Sequence, residues 1–465
     1  MSQIDGFVIA AEPAAHFGPG AVGELPAIVR AAGADQVVVV TDAALATAPV
    51  IEKVLAVLAE AGLPARLFAG VHPTPTPGDL AAGAGTVAGA AADAATASAA
   101  ASAASAASAS AAAVAAMLTP SAPLVAPHPS TLSGSTLSGS TLYRPPPPAG
   151  PSYLSGPQAV LQPAAPLPLA SALLAGPRIA LVAVGSGAPV DAAKGIAIAA
   201  ASDFAGPALP IVAVPVPAGT GAETSALGLI ADPADGRTFY VGHAGTMPAA
   251  AILDPELAAD VPPAVIAGCG LDALTRALES YLALRPNPWS DGIALQAIRM
   301  VAASLPRAVM DGTDLAARSQ LLLAAHMAGV ATASTGLGLC HAIGRSLGTR
   351  WDIARGAALA MLLPEVLRFD LPARLERMAD VAFALGVGDT HADTWLNAEA
   401  AIGAVTALRD DVGLNRLMSD FGITEADFAQ ICADALADEV LASTPRPAAA
   451  DDIRAILLAV AGQPR

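Results

Sequence analysis

The chain is 465 residues long, and 54% of them are hydrophobic although aromatic residues supply only 3%, so alanine and the small aliphatics carry its apolar content. That length has room for two or three domains with substantial cores and excludes a small disulfide-stapled scaffold. A formal charge of -17, from 23 Lys+Arg against 40 Asp+Glu, repels phosphate backbones and anionic lipids, which argues against nucleic-acid and membrane partners.

In chain order, Met1-Ser2-Gln3-Ile4-Asp5 lacks the basic segment and long apolar core of a secretory leader. The three cysteines, Cys269, Cys340 and Cys432, form no C-x-x-C pair, so a reducing, cytoplasmic location is expected. Residues 36–42, Gln-Val-Val-Val-Val-Thr-Asp, read as a buried strand feeding a helix at 50–61. From 93 to 177 the text collapses into Ala/Ser repeats and then Pro/Gly/Ser-rich sequence, a low-complexity insertion with few large apolar side chains. Its Ala/Ser tract is too poor in Leu, Ile and Phe to read as a membrane span. Outside the insertion about 380 residues remain, which suits two domains.

Residues 179–184 read as a second strand, running into Gly185-Ser186-Gly187 and helical text; a third, 210–215, meets Ala218-Gly219-Thr220-Gly221. Strand, glycine turn, helix, repeated, predicts an α/β domain with a parallel sheet and ligands at the strand C-termini. Beyond Asp254-Pro255 helical stretches are predicted at 261–284, 291–305 and 315–332. The expected division is an α/β dinucleotide-binding unit at 1–253, interrupted by the insertion 93–177, and an all-helical unit at 254–465, with a cleft between them.

Asp42, at the end of the first strand, either accepts hydrogen bonds from an adenosine ribose, which favours NAD over NADP, or is a plain turn or cap aspartate. The turn containing Gly185, Ser186, Gly187, Asp191 and Lys194 turns backbone N–H groups and a helix N-terminus toward a pyrophosphate, and so does the one containing Ala218, Gly219 and Thr220. Each reads equally as a connection that merely needs small residues. Lys194 is one of only two lysines in the chain, a candidate cofactor cation or an ordinary surface charge. In the helical half, Asp272 and Arg276 stand four apart, as do His341 and Arg345, so each pair shares a helix face; Arg355 follows. Taken singly they read as surface ion pairs. Glu279 and Tyr281 are expected to pack within the helical half, and His16, His72, His128, His243, His326 and His391 to be solvated or on helix faces.

With these residues the chain resembles the iron-type (group III, metal-containing) alcohol dehydrogenases, the superfamily that includes glycerol dehydrogenase and maleylacetate reductase. Phe17-Gly18-Pro19-Gly20 is similar to the family's F-G-x-G, residues 185–194 to G-G-G-S-x-x-D-x-A-K, and 215–225 to P-T-T-A-G-T-G-S-E-x-T. Asp254-Pro255 is similar to its domain junction, 270–281 to G-x-D-A-L-x-H-A-x-E-x-Y, and 338–364 to G-x-x-H-A-x-x-H-x-L-G, P-H-G and L-L-P in order. The match spans nearly everything outside the insertion and is closer than that to dehydroquinate synthases, which share the architecture.

The resemblance implies a Rossmann-like dinucleotide-binding domain, a helical domain, hydride transfer between NAD(P) and an alcohol or carbonyl carbon, and a homo-oligomer. It also implies Fe or Zn held by one aspartate and three histidines. Carried over by position, Asp272 and His341 are metal ligands, the other two ligand positions fall on Arg276 and Arg355, and a nearby non-ligand histidine falls on Arg345. A guanidinium has no lone pair to donate, so the metal is expected to be absent. In its place Arg276, Arg345 and Arg355 are expected to act as electrophile and anion clamp, with His341 as proton donor, on a small carbonyl or alcohol carrying a carboxylate or phosphonate. The alternative is a catalytically inactive dinucleotide-binding homologue. Ser186, Ala188, Val216 and Pro217 depart from the family's turns, and a lowered cofactor affinity is expected from them.

Overall fold

The computed structural model describes residues 13–94, 178–204, 208–217, 219–234 and 237–462. The expected insertion therefore lies, from residue 95 on, outside the described residues, as do Ala218 and His128.

The N-terminal part is built on β1 (Ala14–Phe17), β2 (Gln36–Asp42), β3 (Ala65–Val71), β4 (Ile179–Gly185), β5 (Ile211–Pro215) and β8 (Ala250–Leu253). These form one six-stranded sheet in the order β3-β2-β4-β5-β8-β1, parallel throughout. Alternation in the strands sends side chains to two cores. Val38 and Val40 of β2 and Leu181 and Ala183 of β4 pack beneath α3 (Pro77–Ala94) and α4 (Gly187–Phe204). Val37 and Val39, with Ala180, Val182 and Val184, pack beneath α1 (Leu25–Ala31) and α2 (Pro49–Glu60) on the other face. Both faces are covered, which is why these strands read as continuous apolar runs. The chain leaves β2 toward β3 on one side and leaves β4 toward β5 on the other, so the strand order switches direction between β2 and β4, where open α/β sheets place ligands.

The third strand departs from the predicted pattern. No α-helix follows the glycine turn after β5; a single 3₁₀ turn at Ala222–Thr224 leads into the antiparallel hairpin of β6 (Gly228–Ala231) and β7 (Thr238–Val241). The reason is contact with the helical half. A Cβ on Gly219 would lie 2.8 Å from the Cys269 Cα, and one on Gly221 would lie 2.6 Å from the Gly329 Cα, so these glycines let the loop dock backbone to backbone.

From Pro263 onward the described elements are helical: α5 (Pro263–Leu282), α6 (Pro288–Met310), α7 (Leu315–Thr335), α8 (Leu339–Trp351), α9 (Arg355–Asp370), α10 (Leu375–Ala384), α11 (Thr394–Asp411), α12 (Phe428–Ala437) and α13 (Ala450–Val460). Helix α6 starts earlier than predicted because Asn287 caps it, accepting from Ser290 N at 2.9 Å. By length and composition α6 could cross a membrane, but Ala294, Ala297, Ile298, Val301 and Leu305 are buried in the helical core.

Helices α5 and α9 touch at Gly268 and Gly356, where a Cβ on Gly356 would overlap the Gly268 carbonyl. Backbone cannot yield to such an overlap, so Gly356→Ala is expected to lower unfolding free energy by about 1–3 kcal/mol in urea titration. Gly292→Ala, on an exposed turn of α6 with nothing within 4 Å, is the neutral comparison. At the end of α9, burial and the charge of Glu279 push the Asp370 carboxyl up to about 8, and its Oδ1 has no hydrogen-bond partner. The folded chain then holds a proton that the unfolded chain releases above about pH 4, so stability falls as pH rises through about 4 to 8. Asp370→Asn is expected to flatten that slope, read as unfolding midpoints at pH 5 and pH 8.

Candidate active site

Asp272 and Arg276 lie one turn apart on α5, and Arg276 Nε donates to Asp272 Oδ1 at 2.9 Å. Because α9 crosses α5 at the glycine contact, Arg355, its first residue, reaches the other oxygen: Nε donates to Asp272 Oδ2 at 2.8 Å. His341 Nε2 stands 3.4 Å from Asp272 Oδ1. Burial by itself would raise this carboxyl, but Arg355 and Arg276, with His341 assisting, outweigh it and hold the carboxyl well below the usual carboxylate range.

His341 is fixed from its other side by Glu279, two turns beyond Asp272 on α5. Glu279 Oε2 lies 2.5 Å from His341 Nδ1, and Oε1 accepts the His341 backbone N–H at 3.2 Å. Glu279 thus serves as an imported cap for α8, whose own N-cap residue is Gly338. The ring of His341 is 1% exposed, with a carboxylate oxygen at each nitrogen. The expected proton donor is therefore placed as a positioning group for Asp272, with each nitrogen taken up by a carboxylate.

Arg345, one turn beyond His341 on α8, is drawn elsewhere. Its Nη1 donates to both oxygens of Asp438 at 3.0 and 2.9 Å, and its Nη2 meets the Tyr240 hydroxyl at 2.5 Å. Its charge is balanced by Asp438, so the cluster of three cations expected from sequence reduces to Arg276 and Arg355. Their Nε atoms serve Asp272, and among the described residues their terminal nitrogens have no hydrogen-bond partner, although Arg276 is only 8% exposed.

The residues present do not fit a divalent metal. At the positions where the resemblance expects ligands, Asp272 and His341 are the lone-pair donors, Arg276 and Arg355 offer none, and both Asp272 oxygens already accept hydrogen bonds. Among the described residues no group of three or more His, Cys, Asp or Glu is arranged to hold a metal ion.

The glycine turn expected to face a cofactor lies at the switch in strand order. Asp42 closes β2 and Gly185 closes β4, and a Cβ on Gly185 would lie 3.5 Å from Asp42 Oδ2. Asp42 Oδ1 accepts from Leu45 N at 3.0 Å, so the turn role is realised while Oδ2 faces the glycine. Helix α4 begins at Gly187, after Ser186, and a Cβ there would lie 2.9 Å from Thr220 Oγ1 and 3.1 Å from Arg355 Nη2. Gly185, Ser186, Gly187, Thr220 and Arg355 thus come together. Lys194 is fully buried beneath them, its Nζ donating to Ala222 O and Leu227 O at 2.8 Å each, with Asp191 Oδ1 at 3.4 Å. It ties α4 to the loop after β5, and Gly219 packs that loop on Cys269.

Sequence reasoning missed Tyr240 and Asp438, which no motif marks. It gave Glu279 only a packing role, although Asp272 and Glu279 share a helix face and that spacing was readable. It also gave His326 a solvated or helix-face role; the structure buries it, with Nδ1 3.1 Å from Glu223 Oε1, joining α7 to the loop after β5.

Comparison with known proteins places this geometry. The family model described as iron-containing alcohol dehydrogenase matches residues 13–140 and 171–255, and that of the C-terminal part of the Fe-containing alcohol dehydrogenase family matches 266–461. A probable alcohol dehydrogenase, EutG of Escherichia coli (strain K12), is 39% identical over 284 residues, 59% of this chain and 70% of that protein. The 1,3-propanediol dehydrogenase of Klebsiella pneumoniae is 38% identical over 287 residues, 59% of this chain and 74% of its own length. Among solved structures, a 1,3-propanediol oxidoreductase aligns with TM-score 0.75 and 27% identity, covering 98% of this chain and 100% of its own.

Removing the shared acceptor should leave two guanidinium groups facing each other in a pocket where Arg276 is nearly enclosed. Asp272→Asn is expected to cost about 3–5 kcal/mol in chemical denaturation. Arg355→Gln is expected to cost less than Arg276→Gln, because the Arg355 side chain is 31% exposed and that of Arg276 10%.

Proposed function

Because the chain belongs to the iron-containing alcohol dehydrogenase family, we propose that it moves a hydride between NAD and a small alcohol, aldehyde or keto acid, with Arg276 and Arg355 standing where the family holds a metal. Residues 1–253 bind the dinucleotide, with Asp42 favouring NAD over NADP and the turn 185–187 facing the pyrophosphate. Residues 254–465 supply the reacting end. The protein acts in the cytoplasm as a homo-oligomer.

One observation carries this reading: Asp272 engages each arginine through Nε alone, leaving the terminal N–H groups of both without a protein partner among the described residues. Those donors can stabilise the negative charge that develops on a carbonyl oxygen during reduction, the task that falls to preorganised donors in a water-poor site. They equally favour a substrate bearing a carboxylate or phosphonate, which a guanidinium meets in bidentate fashion. No step passes through a metal.

A second reading, a dinucleotide-binding homologue without activity, is favoured by the burial of His341 between two carboxylates, which withdraws the expected proton donor. The two separate in an assay of NADH oxidation against small aldehydes and keto acids, with chelator-treated and metal-supplemented protein. Turnover on an acidic carbonyl such as glyoxylate, unchanged by chelator, is the expected result. Turnover that appears only with added Fe²⁺ or Zn²⁺ would overturn the arginine site, and NADH binding without turnover would favour the second reading.

A further inference from the structure

Arg355 gives its Nε to Asp272, and its other edge meets the N-terminal half, where a Cβ on Gly187 would lie 3.1 Å from Nη2. We propose that this edge, with Thr220 and the first turn of α4, holds a phosphate of the dinucleotide, making Arg355 a cofactor-binding residue; the inference rests on the dinucleotide-binding part of the reading above.

The charges around the contact point to an anion. Gly187 opens a helix of 18 residues that has no acidic residue in its first turn. Such an N-terminus carries a partial positive charge and N–H groups without acceptors inside the helix. Among the described residues no side chain caps the N–H of Gly187 or Ala188, and the group that stands beside this turn is a guanidinium, a second positive charge. The carboxylates around it are committed elsewhere. Asp272 is shared between Arg355 and Arg276, so two cations divide one anion, and Asp191 faces the buried Lys194. Asp42 stands two residues earlier, where a Cβ on Gly185 would lie 3.5 Å from its Oδ2, a place suited to ribose hydroxyls rather than phosphate. Two like charges set side by side favour an anion between them, and a pyrophosphate diester brings two negative charges.

The donors converge on a gap that glycine keeps open. A Cβ on Gly187 would also lie 2.9 Å from Thr220 Oγ1, so any side chain there would fill the space between the hydroxyl and the guanidinium. Thr220 is buried, its Oγ1 accepts from Ala222 N at 3.3 Å, and its own hydroxyl hydrogen has no acceptor among the described residues. A hydroxyl, a guanidinium edge and a helix N-terminus thus meet at one place, and all three donate. A guanidinium edge matches a phosphate with two parallel hydrogen bonds. This added cation offsets the lowered cofactor affinity expected from Ser186, Ala188, Val216 and Pro217. It also divides the work of the two arginines: Arg355 joins the cofactor to Asp272, and the terminal edge of Arg276 remains for the carbonyl oxygen.

The experiment reads binding rather than turnover. ADP-ribose, which has the pyrophosphate and no nicotinamide, is titrated into the full chain by calorimetry, in parallel with NADH. Arg355→Gln is expected to raise both dissociation constants about tenfold or more, because a charge-assisted pair is lost. Arg355→Lys is expected to fall between Arg355→Gln and wild type, since it keeps the charge without the two-pronged edge. Raising KCl from about 0.05 to about 0.5 M is expected to weaken ADP-ribose binding to wild type by a larger factor than binding to Arg355→Gln, which a merely structural arginine would not require. An ADP-ribose dissociation constant for Arg355→Gln within about threefold of wild type overturns the proposal and leaves the functional reading standing. Wild-type protein that binds neither NADH nor ADP-ribose overturns both. If Arg355→Gln melts at a markedly lower temperature than wild type, phenylglyoxal labelling of the wild type decides. Saturating ADP-ribose is expected to slow modification of Arg355, whose side chain is 31% exposed, and to leave that of Arg416, 51% exposed, unchanged. Equal labelling of Arg355 with and without ADP-ribose overturns the proposal.

Discussion

A single buried carboxylate, that of Asp272, ties three helices of the C-terminal half together. Taking such a group out of water costs several kcal/mol unless its oxygens are filled, and here each oxygen accepts a guanidinium N–H, one from its own helix and one from a crossing helix. The crossing is possible because α5 and α9 meet at a glycine on each side, where no side chain separates the backbones. His341 closes the arrangement from α8 and is held by Glu279, so α5, α8 and α9 are joined through one acid. The glycine contact and the salt bridges depend on each other: without the first, Arg355 would stand too far away, and without the second, the crossing would bury unpaired charge.

A guanidinium standing where the resemblance expects a metal would reverse the direction of the contacts at the centre. A divalent ion draws lone pairs toward itself, whereas arginine offers N–H groups outward, so a carboxylate can serve either partner and an imidazole cannot serve both in the same way. Asp272 here serves the guanidinium groups of Arg276 and Arg355. His341, which could have offered a nitrogen to a cation, instead lies with acceptors at both ring positions and becomes part of the scaffold. Arg345 shows a further consequence of side-chain length. Its guanidinium reaches Asp438 and Tyr240, joining the β6–β7 hairpin to the helical half. The three arginines therefore do two separate jobs: Arg276 and Arg355 surround the acid, while Arg345 crosses the cleft.

What could be read from the chain beforehand follows from which contacts are local. Strands β2, β4 and β5 were legible because both faces are covered and every position is apolar. Strand β3 contains Arg66 and Gly70, β8 is Ala-Ala-Ile-Leu, and β1 is an exposed edge, so none of the three carries a period that separates it from helix or loop. The turn after β5 looked like its predecessor at Gly185, but its glycines serve close approach to Cys269 and Gly329 rather than a helix start. At the site, the four-residue spacing of Asp272 and Arg276 and the motif position of Arg355 brought the right residues together. Tyr240, Asp438 and the pair His326–Glu223 were illegible because their partners lie about a hundred residues away, and nothing local marks them.

Full pairing of the charges is compatible with an idle pocket as well as a working one, since any stable fold must balance what it buries. Arg345 is matched by Asp438, His341 by Glu279, and Lys194 by two carbonyls and Asp191. What separates the cases is the donors left over. The terminal nitrogens of Arg276 keep some solvent contact, although the residue as a whole is only 8% exposed. Arg276 finds one acceptor, through Nε, and its remaining donors meet none among the described residues. Arg355 leaves the same groups without a protein acceptor beside Gly187 and Thr220, at the start of α4. Two cations that spend one edge on a shared carboxylate keep the other edge without a protein acceptor among the described residues, and that edge of Arg355 lies beside Gly187, where α4 begins.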